Sequence, residues 1–173
     1  MEENKIKTGT FALRYGLLLG VIGITFGLML FFVDMHYERG FAIQAIQIGF
    51  IAITIVIAII QFKKANEGFL TLSDALKIGT GVALIGCILG LIYFFLLSNV
   101  IEPDYMDKMY EIGKSEAITN NPKLTEEQID KGIEMQKRFA WVFYPIGLII
   151  NIIIGLIVGL VSGLIMKKTN NVY

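Results

Sequence analysis

The chain has 173 residues, of which 55% are hydrophobic and 17% charged, and its mean hydropathy is +0.66. Because an ordinary soluble domain carries about 25% charged residues, this composition excludes a soluble domain, a disordered segment and a nucleic-acid-binding module, and it indicates a membrane protein. Fifteen basic residues balance fifteen acidic ones, and the single cysteine excludes an intramolecular disulfide and a cysteine-rich metal site.

Four stretches are apolar over the roughly 20 residues that a helix needs to cross a bilayer. They are Leu13–Val33, Ala42–Phe62, Ile78–Ser98 and Val142–Met166. None keeps the charged face that a helix on a soluble core would show. The sequence therefore predicts an all-α, polytopic fold, a four-transmembrane-helix bundle forming a single integral membrane domain over residues 1–173.

The first span is predicted to be a retained helix. Its apolar run, Gly16–Val33, has 18 residues, which is longer than the roughly 7–15 residues of a signal-peptide core.

The basic residues near the span ends predict the orientation. The side that holds both termini and the loop Lys63–Lys77 carries eight basic and four acidic residues, against seven basic and eleven acidic on the other side. Because loops rich in Lys and Arg stay in the cytoplasm, we expect both termini to be cytoplasmic. The loop Asp34–Phe41 and the segment Asn99–Trp141 should then lie outside, the inverted orientation being the alternative.

Spans one and three resemble each other. At an offset of 63 residues, nine of the 21 aligned positions are identical, including the pair Gly16 and Gly79 and the pair Gly23 and Gly86. One reading is a duplicated helical hairpin, repeated about an axis along the membrane normal. The other is chance similarity between two helices that are both rich in Gly, Leu and Ile.

Small residues recur every three or four positions in three of the spans, and such stripes let membrane helices approach closely. The predicted helix-packing residues are Gly16, Gly20, Gly23, Gly27, Gly79, Ala83, Gly86, Gly90, Gly155, Gly159 and Gly163. The stripes are predicted either to pack within one bundle or, in the case of span four, to form a homo-oligomer contact.

The segment that opens span three carries a family resemblance. Thr71 is a candidate N-cap, with Asp74 at the third helical position. The run Gly68–Gly79, the Gly-rich first span and the long loop before span four resemble a bacterial family of uncharacterised membrane proteins, domain of unknown function 4199. The resemblance covers nearly the whole chain. It implies an integral membrane fold in a bacterium and no particular activity.

The segment Asn99–Trp141 is the largest polar region, with six basic and nine acidic residues. We predict a helix that starts near Glu102-Pro103-Asp104 and a second that Thr125 caps with Gln128 in a capping box. The second helix is expected to run straight into span four, with Pro145 bending the join. The segment would form an extramembrane helical hairpin, either as a cover over the bundle or as a docking surface for another protein.

The membrane spans hold few chemical groups. Among the uncharged polar side chains, Gln44, Gln47 and Asn151 could meet in the outer half of the bundle, close to His36 in the first loop. This cluster is either a set of interhelical hydrogen bonds or a small polar cavity that opens outward. A lone histidine makes no plausible metal site.

These features predict a protein of the bacterial cytoplasmic (inner) membrane that is not an enzyme and needs no cofactor or metal. It would act as a structural, accessory or interaction protein through helix packing and the external hairpin. Its partners would be the lipid bilayer and either a second copy or an external protein, with no nucleic acid. The alternative is a small oligomeric transporter or channel that uses the Gln44, Gln47 and Asn151 cluster.

Overall fold

The structure is a computed structural model that describes residues 7–38 and 40–168. Over these residues six α-helices follow one another. In chain order they are α1 (Thr8–Phe32), α2 (Phe41–Ala65), α3 (Leu72–Leu96), α4 (Tyr105–Asn120), α5 (Glu126–Arg138) and α6 (Phe143–Met166). A π-helical turn, Leu97–Ile101, follows α3, and a 3-10 turn, Ala140–Val142, precedes α6.

Helices α1, α2, α3 and α6 coincide with the four predicted apolar spans. In the described part of the chain they are the helices that are long and apolar enough to cross a membrane. Each of α1, α2 and α3 has 25 residues, which corresponds to about 37 Å of helix. The prediction of an all-α chain with four long apolar helices is confirmed.

The described residues divide into two units, one formed by the residues up to 90 together with those from 148 onward, and the other by residues 91–147. In the first unit, α1 packs beside α3 in the same direction, since Ala12 lies against Gly81 and Leu19 against Gly86. Helix α6 packs against α3 in the opposite direction, because Gly155 meets Gly79 while Gly159 meets Ala75. Helix α2 runs antiparallel to α1, with the Phe11 and Phe62 rings 5.4 Å apart.

The core of the first unit lies in one half of these helices. It is the half in which α1 and α3 begin and α2 and α6 end, which we call the basic end for its lysines and arginine. The core side chains with 0% exposure are Ile55, Ala58 and Ile59 of α2, Leu70 of the loop, and Ala75, Ile78 and Val82 of α3. In the opposite half, where α2 begins, Phe41, Ile46 and Ile48 are exposed. Side-chain packing within the unit is therefore uneven along the helices.

The second unit contains α4, α5 and the adjoining ends of α3 and α6. Tyr105 and Met109 of α4 and Ile129 of α5 are buried. The Phe94 ring of α3 packs edge-on against Tyr105, at a centroid separation of 5.8 Å. Tyr105 and Met109, one helical turn apart, thus mark the face that α4 buries.

One expectation about this unit is wrong, because α5 does not continue into α6. Helix α5 ends at Arg138, and the chain turns through Phe139 and a 3-10 segment before α6 begins at Phe143. The physical reason is Pro145, which has no amide hydrogen to give to a carbonyl four residues earlier. As the third residue of α6 it occupies the first turn, where helical amides have no intrahelical partner.

Candidate functional site

In the first unit, the backbones of α3 and α6 approach each other closely at glycines. A Cβ built on Gly79 would lie 2.5 Å from the carbonyl oxygen of Gly155, and one built on Gly159 would lie 2.8 Å from the carbonyl oxygen of Ala75. A Cβ built on Gly163 would lie 2.8 Å from the Cδ1 atom of Leu72. Ala83, also on this stripe, is 1% exposed. Backbone atoms cannot move aside as side chains can. The short distance between α3 and α6 therefore requires glycine at these positions.

Helices α1 and α3 meet through glycine and larger side chains instead. Gly16 lies against Ile85, Gly20 against Leu89, and Gly86 against Leu19. Each larger residue occupies the space that a Cβ on the facing glycine would take. In this contact, a large side chain of one helix packs against a glycine of the other.

The remaining glycines of the predicted stripes have different surroundings. No described atom lies within 4 Å of a Cβ built on Gly23 or Gly90. Gly27 is half-buried. The close contacts thus belong to the part of each stripe nearer the basic end.

The two similar spans use their matching glycines differently. Gly16 of α1 faces Ile85 of α3, whereas its counterpart Gly79 faces α6. The similarity between spans one and three therefore does not extend to equivalent contacts.

At the basic end, the loop between α2 and α3 is tied to the end of α6. Leu70 and Lys168 exchange both backbone hydrogen bonds, with N···O distances of 2.9 and 3.0 Å. The Lys63 ammonium donates a hydrogen bond to the carbonyl oxygen of Met166 at 2.7 Å. This places a cation at the negative, C-terminal end of α6, where it is stabilising. This connection joins the segment that carries the family resemblance to the last helix.

The same loop has a defined backbone. Helix α2 ends through Glu67 and Gly68, whose φ angles are 53° and 85°. The Thr71 hydroxyl accepts a hydrogen bond from the Asp74 amide at 3.1 Å, and the Asp74 carboxylate accepts from the Thr71 amide at 3.2 Å. The predicted N-cap of α3 is confirmed.

A polar cavity of about 550 Å³ opens beside α1 and α2 at the basic end. Its walls are Phe11, Arg14, Tyr15, Gln61, Lys64 and Ala65. An apolar groove of about 110 Å³ shares Tyr15 with it and is otherwise lined by Leu18, Ile22, Phe50, Ile53, Thr54 and Ile57. This site was not predicted from the sequence, because its two halves lie about 50 residues apart in the chain. The available signal was the placement of Arg14 and Lys64 near the ends of successive spans.

In the second unit, α4 and α5 are joined by two ion pairs. Lys137 lies 3.3 Å from the Asp107 carboxylate, and Lys114 pairs with Asp130. The Asp130 hydrogen bond and charge raise the pKa of Lys114. The Lys137 ammonium also sits 4.9 Å from the centroid of the Tyr110 ring.

Helix α5 begins as the sequence predicts. The Thr125 hydroxyl accepts from the Gln128 amide at 3.3 Å, and the Gln128 side chain accepts from the Thr125 amide at 3.0 Å. Glu127 and Lys131, four residues apart on α5, form an ion pair at 2.7 Å. The capping box is confirmed.

The residues of the predicted polar cluster differ in their burial. Gln44 and Gln47 are exposed on α2, and Asn151 is half-buried on α6. His36 is half-buried, with its ring centroid 4.1 Å from that of Tyr37 and 5.0 Å from that of Phe31. Among the residues that the structure describes, no group of three or more His, Cys, Asp or Glu side chains could hold a metal ion.

Four long apolar helices in the described ranges place the chain in the class of multi-pass membrane proteins. The family described as "Protein of unknown function (DUF4199)" matches residues 14–168, and the chain belongs to this family. The resemblance seen in the sequence is thereby confirmed. No curated protein and no solved structure matches the chain.

Proposed function

We propose that this chain is an accessory membrane protein that binds another protein through the α4–α5 pair. The observation that carries the proposal is the construction of that pair. Two ion pairs join its helices, a capping box starts α5, and Tyr105, Met109 and Ile129 are buried. A plain connector between two spans needs none of these contacts.

The α4–α5 pair also presents apolar side chains that it leaves uncovered. Leu124, Met135 and Phe139 are 47%, 63% and 48% exposed. Apolar anchors surrounded by polar residues are typical of protein interfaces. The segment from residue 99 to 141 has six basic and nine acidic residues, so its net charge of −3 favours a partner with a basic rim.

The proposal places the protein in the bacterial cytoplasmic membrane, with both termini in the cytoplasm and the α4–α5 pair outside. The support is the charge at the basic end. Its described basic residues are Lys7, Arg14, Lys63, Lys64, Lys77, Lys167 and Lys168, against Glu67 and Asp74. Such an excess near span ends favours the cytoplasmic side.

A small oligomeric transporter is the alternative. Ile55, Ile59 and Ile78 have 0% exposure in the core, which argues against a path through one chain. Gln44 and Gln47 are exposed, so a pathway lined by them would lie between copies. The proposed role is not enzymatic, because the sequence offers no nucleophile–base pair and no set of metal ligands.

The test combines removal of the pair with crosslinking at its surface. Replacing Lys108–Lys137 by a short Gly/Ser linker should leave the four spans inserted and folded, and abolish partner capture or the cellular phenotype. A photo-crosslinking residue at Met135 should capture one partner, whereas one at Glu111, an exposed polar position of α4, should capture far less.

The matched control is the pair of substitutions Gln47→Leu and Asn151→Leu, which should have little effect on function. If the linker variant is fully functional while either of these substitutions abolishes function, the transporter is the better account. If the Met135 adduct is a second copy of the chain, the pair is a homo-oligomer contact.

A further inference from the structure

We propose that the groove between α1 and α2 binds an anionic phospholipid, with its phosphate at Arg14 and Lys64 and an acyl chain along the apolar groove. This lipid site is independent of the proposed role of the α4–α5 pair. It rests on the charge of the polar cavity, on the apolar groove that shares Tyr15 with it, and on the lengths of α1 and α2 that line them.

The polar cavity is suited to an anion. Arg14 and Lys64 bring two positive charges to its wall, and Gln61 adds an amide donor. Among the described residues that line it, none is acidic. The neighbouring Lys63 is instead engaged with the Met166 carbonyl oxygen. Basic pockets between transmembrane helices on the cytoplasmic side are typical sites for lipid phosphate groups.

Arg14 is placed to donate hydrogen bonds to a phosphate group. Its guanidinium carbon lies 6.0 Å from the centroid of the Tyr15 ring, which is at the outer limit of a cation–π contact. The side chain is exposed, and its fork of donors matches the oxygens of a phosphate in a bidentate manner. Lys64 supplies a second point charge from α2.

The apolar groove indicates a lipid rather than a soluble anion. It begins at Tyr15, which also lines the polar cavity, and is walled by Leu18 and Ile22 of α1 and by Ile53 and Ile57 of α2. A soluble anion would contact the polar cavity alone. A phospholipid joins an anionic phosphate to an apolar chain, and so matches both parts.

The dimensions agree with one leaflet of a bilayer. From Arg14 to Ile22 is 8 residues, or about 12 Å along α1, and from Lys64 to Ile53 is 11 residues, or about 16 Å along α2. Half of the hydrocarbon core is about 15 Å thick. An acyl chain that starts beside the two cations would therefore follow the groove through one leaflet.

The test is lipid binding by the purified full chain, measured by native mass spectrometry. Phosphatidylglycerol and phosphatidylcholine with the same acyl chains, and soluble glycerol 3-phosphate, are titrated separately. Phosphatidylglycerol should bind most tightly. The double variant Arg14→Gln/Lys64→Gln should weaken its binding about 30-fold, since each cation near a membrane surface is worth about a fivefold change in affinity.

The charge-matched control is Lys77→Gln/Lys167→Gln, which removes two exposed cations of the same end outside the cavity wall. It should keep the wild-type affinity. Equal weakening in both double variants would mean that lipid follows the general surface charge, and would overturn the proposal. Equal binding of the two phospholipids by the wild type would overturn it as well.

A second variant tests the acyl part without changing charge. Ile57→Trp fills the apolar groove from a position that is 42% exposed, and it should weaken phosphatidylglycerol while leaving glycerol 3-phosphate binding as it was. Unchanged lipid binding in this variant, or glycerol 3-phosphate that competes as well as the lipid, would show an anion site and contradict a lipid site. Thermal unfolding in lipid-free detergent checks that each variant is folded.

Discussion

At the scale of single residues, the separation of α3 and α6 depends on three glycines that face backbone atoms. The neighbours of Gly79, Gly155 and Gly159 include carbonyl oxygens at 2.5–2.8 Å from a built Cβ. Gly86 instead faces the Leu19 side chain, whose outer atoms can rotate away. Substitutions along one stripe should therefore differ in cost.

We expect Gly79→Ala to lower the thermal unfolding midpoint in detergent more than Gly86→Ala does. The methyl group at residue 79 forces two backbones apart, and overpacking of this kind typically costs 1–3 kcal/mol. Gly23→Ala is the control, since no described atom lies within 4 Å of the added carbon. If Gly79→Ala and Gly23→Ala unfold at the same temperature, the α3–α6 contact is not as close as described.

The sequence could predict which residues are small but not which of them are in contact. The 4, 3, 4 spacing puts Gly16, Gly20, Gly23 and Gly27 on one face of a helix. How far along that face a neighbour stays close depends on the crossing of two helices, which is a tertiary property. Gly23 and Gly86 look equivalent in sequence, yet Leu19 lies beside Gly86 and no described atom lies close to a Cβ on Gly23.

At the scale of elements, helix starts could be read from the sequence and one helix end could not. The caps at Thr71 and Thr125 depend on residues within three positions of each other, so local sequence specifies them. The break between α5 and α6 depends on two opposing effects. The charged residues of α5 favour continuing the helix, whereas Pro145 lacks the amide hydrogen that a continuous helix would use. In the structure the helix ends before the proline, and the chain turns at Phe139.

The α1–α2 groove could not be predicted from either helix. Arg14 and Lys64 each look like a basic residue near a span end, for which snorkelling is sufficient explanation. They line one cavity only because α2 folds back along α1 and brings Phe62 against Phe11. A site built from two elements becomes visible when their pairing is known.

The cap of α5 supports a prediction about local stability. Thr125→Ala removes the hydroxyl that accepts from the Gln128 amide, which typically costs about 0.5–2 kcal/mol. Hydrogen exchange of the α5 amides should become faster by the corresponding factor, while exchange in α1 and α2 stays the same.

Thr119→Ala is the matched control for this substitution. The Thr119 hydroxyl donates to the Ser115 carbonyl oxygen within its own helix at 2.9 Å, a bond that adds little to helix stability. Its loss should leave α5 exchange unchanged. Equal acceleration of α5 exchange in both variants would contradict the role of the capping box.

At the scale of the whole molecule, the described residues form four long apolar helices, and the side chains with 0% exposure lie at their basic end. The core isoleucines of α2 and α3, the Leu70–Lys168 backbone pairing and the Lys63–Met166 hydrogen bond all lie at that end. The positive charge and the packing therefore coincide. The composition was enough to predict the membrane class, whereas this uneven packing depends on contacts between distant residues.

The central claim of the proposed function is its topology, in which the basic end would face the cytoplasm and the α4–α5 pair would lie outside. Accessibility of single cysteines in intact spheroplasts tests it most directly, in a Cys87→Ser background with either Lys7→Cys or Lys123→Cys. A membrane-impermeant thiol reagent should label position 123 before permeabilisation and position 7 only after it. Labelling of position 7 but not 123 in intact spheroplasts, or equal labelling of both, would contradict the account.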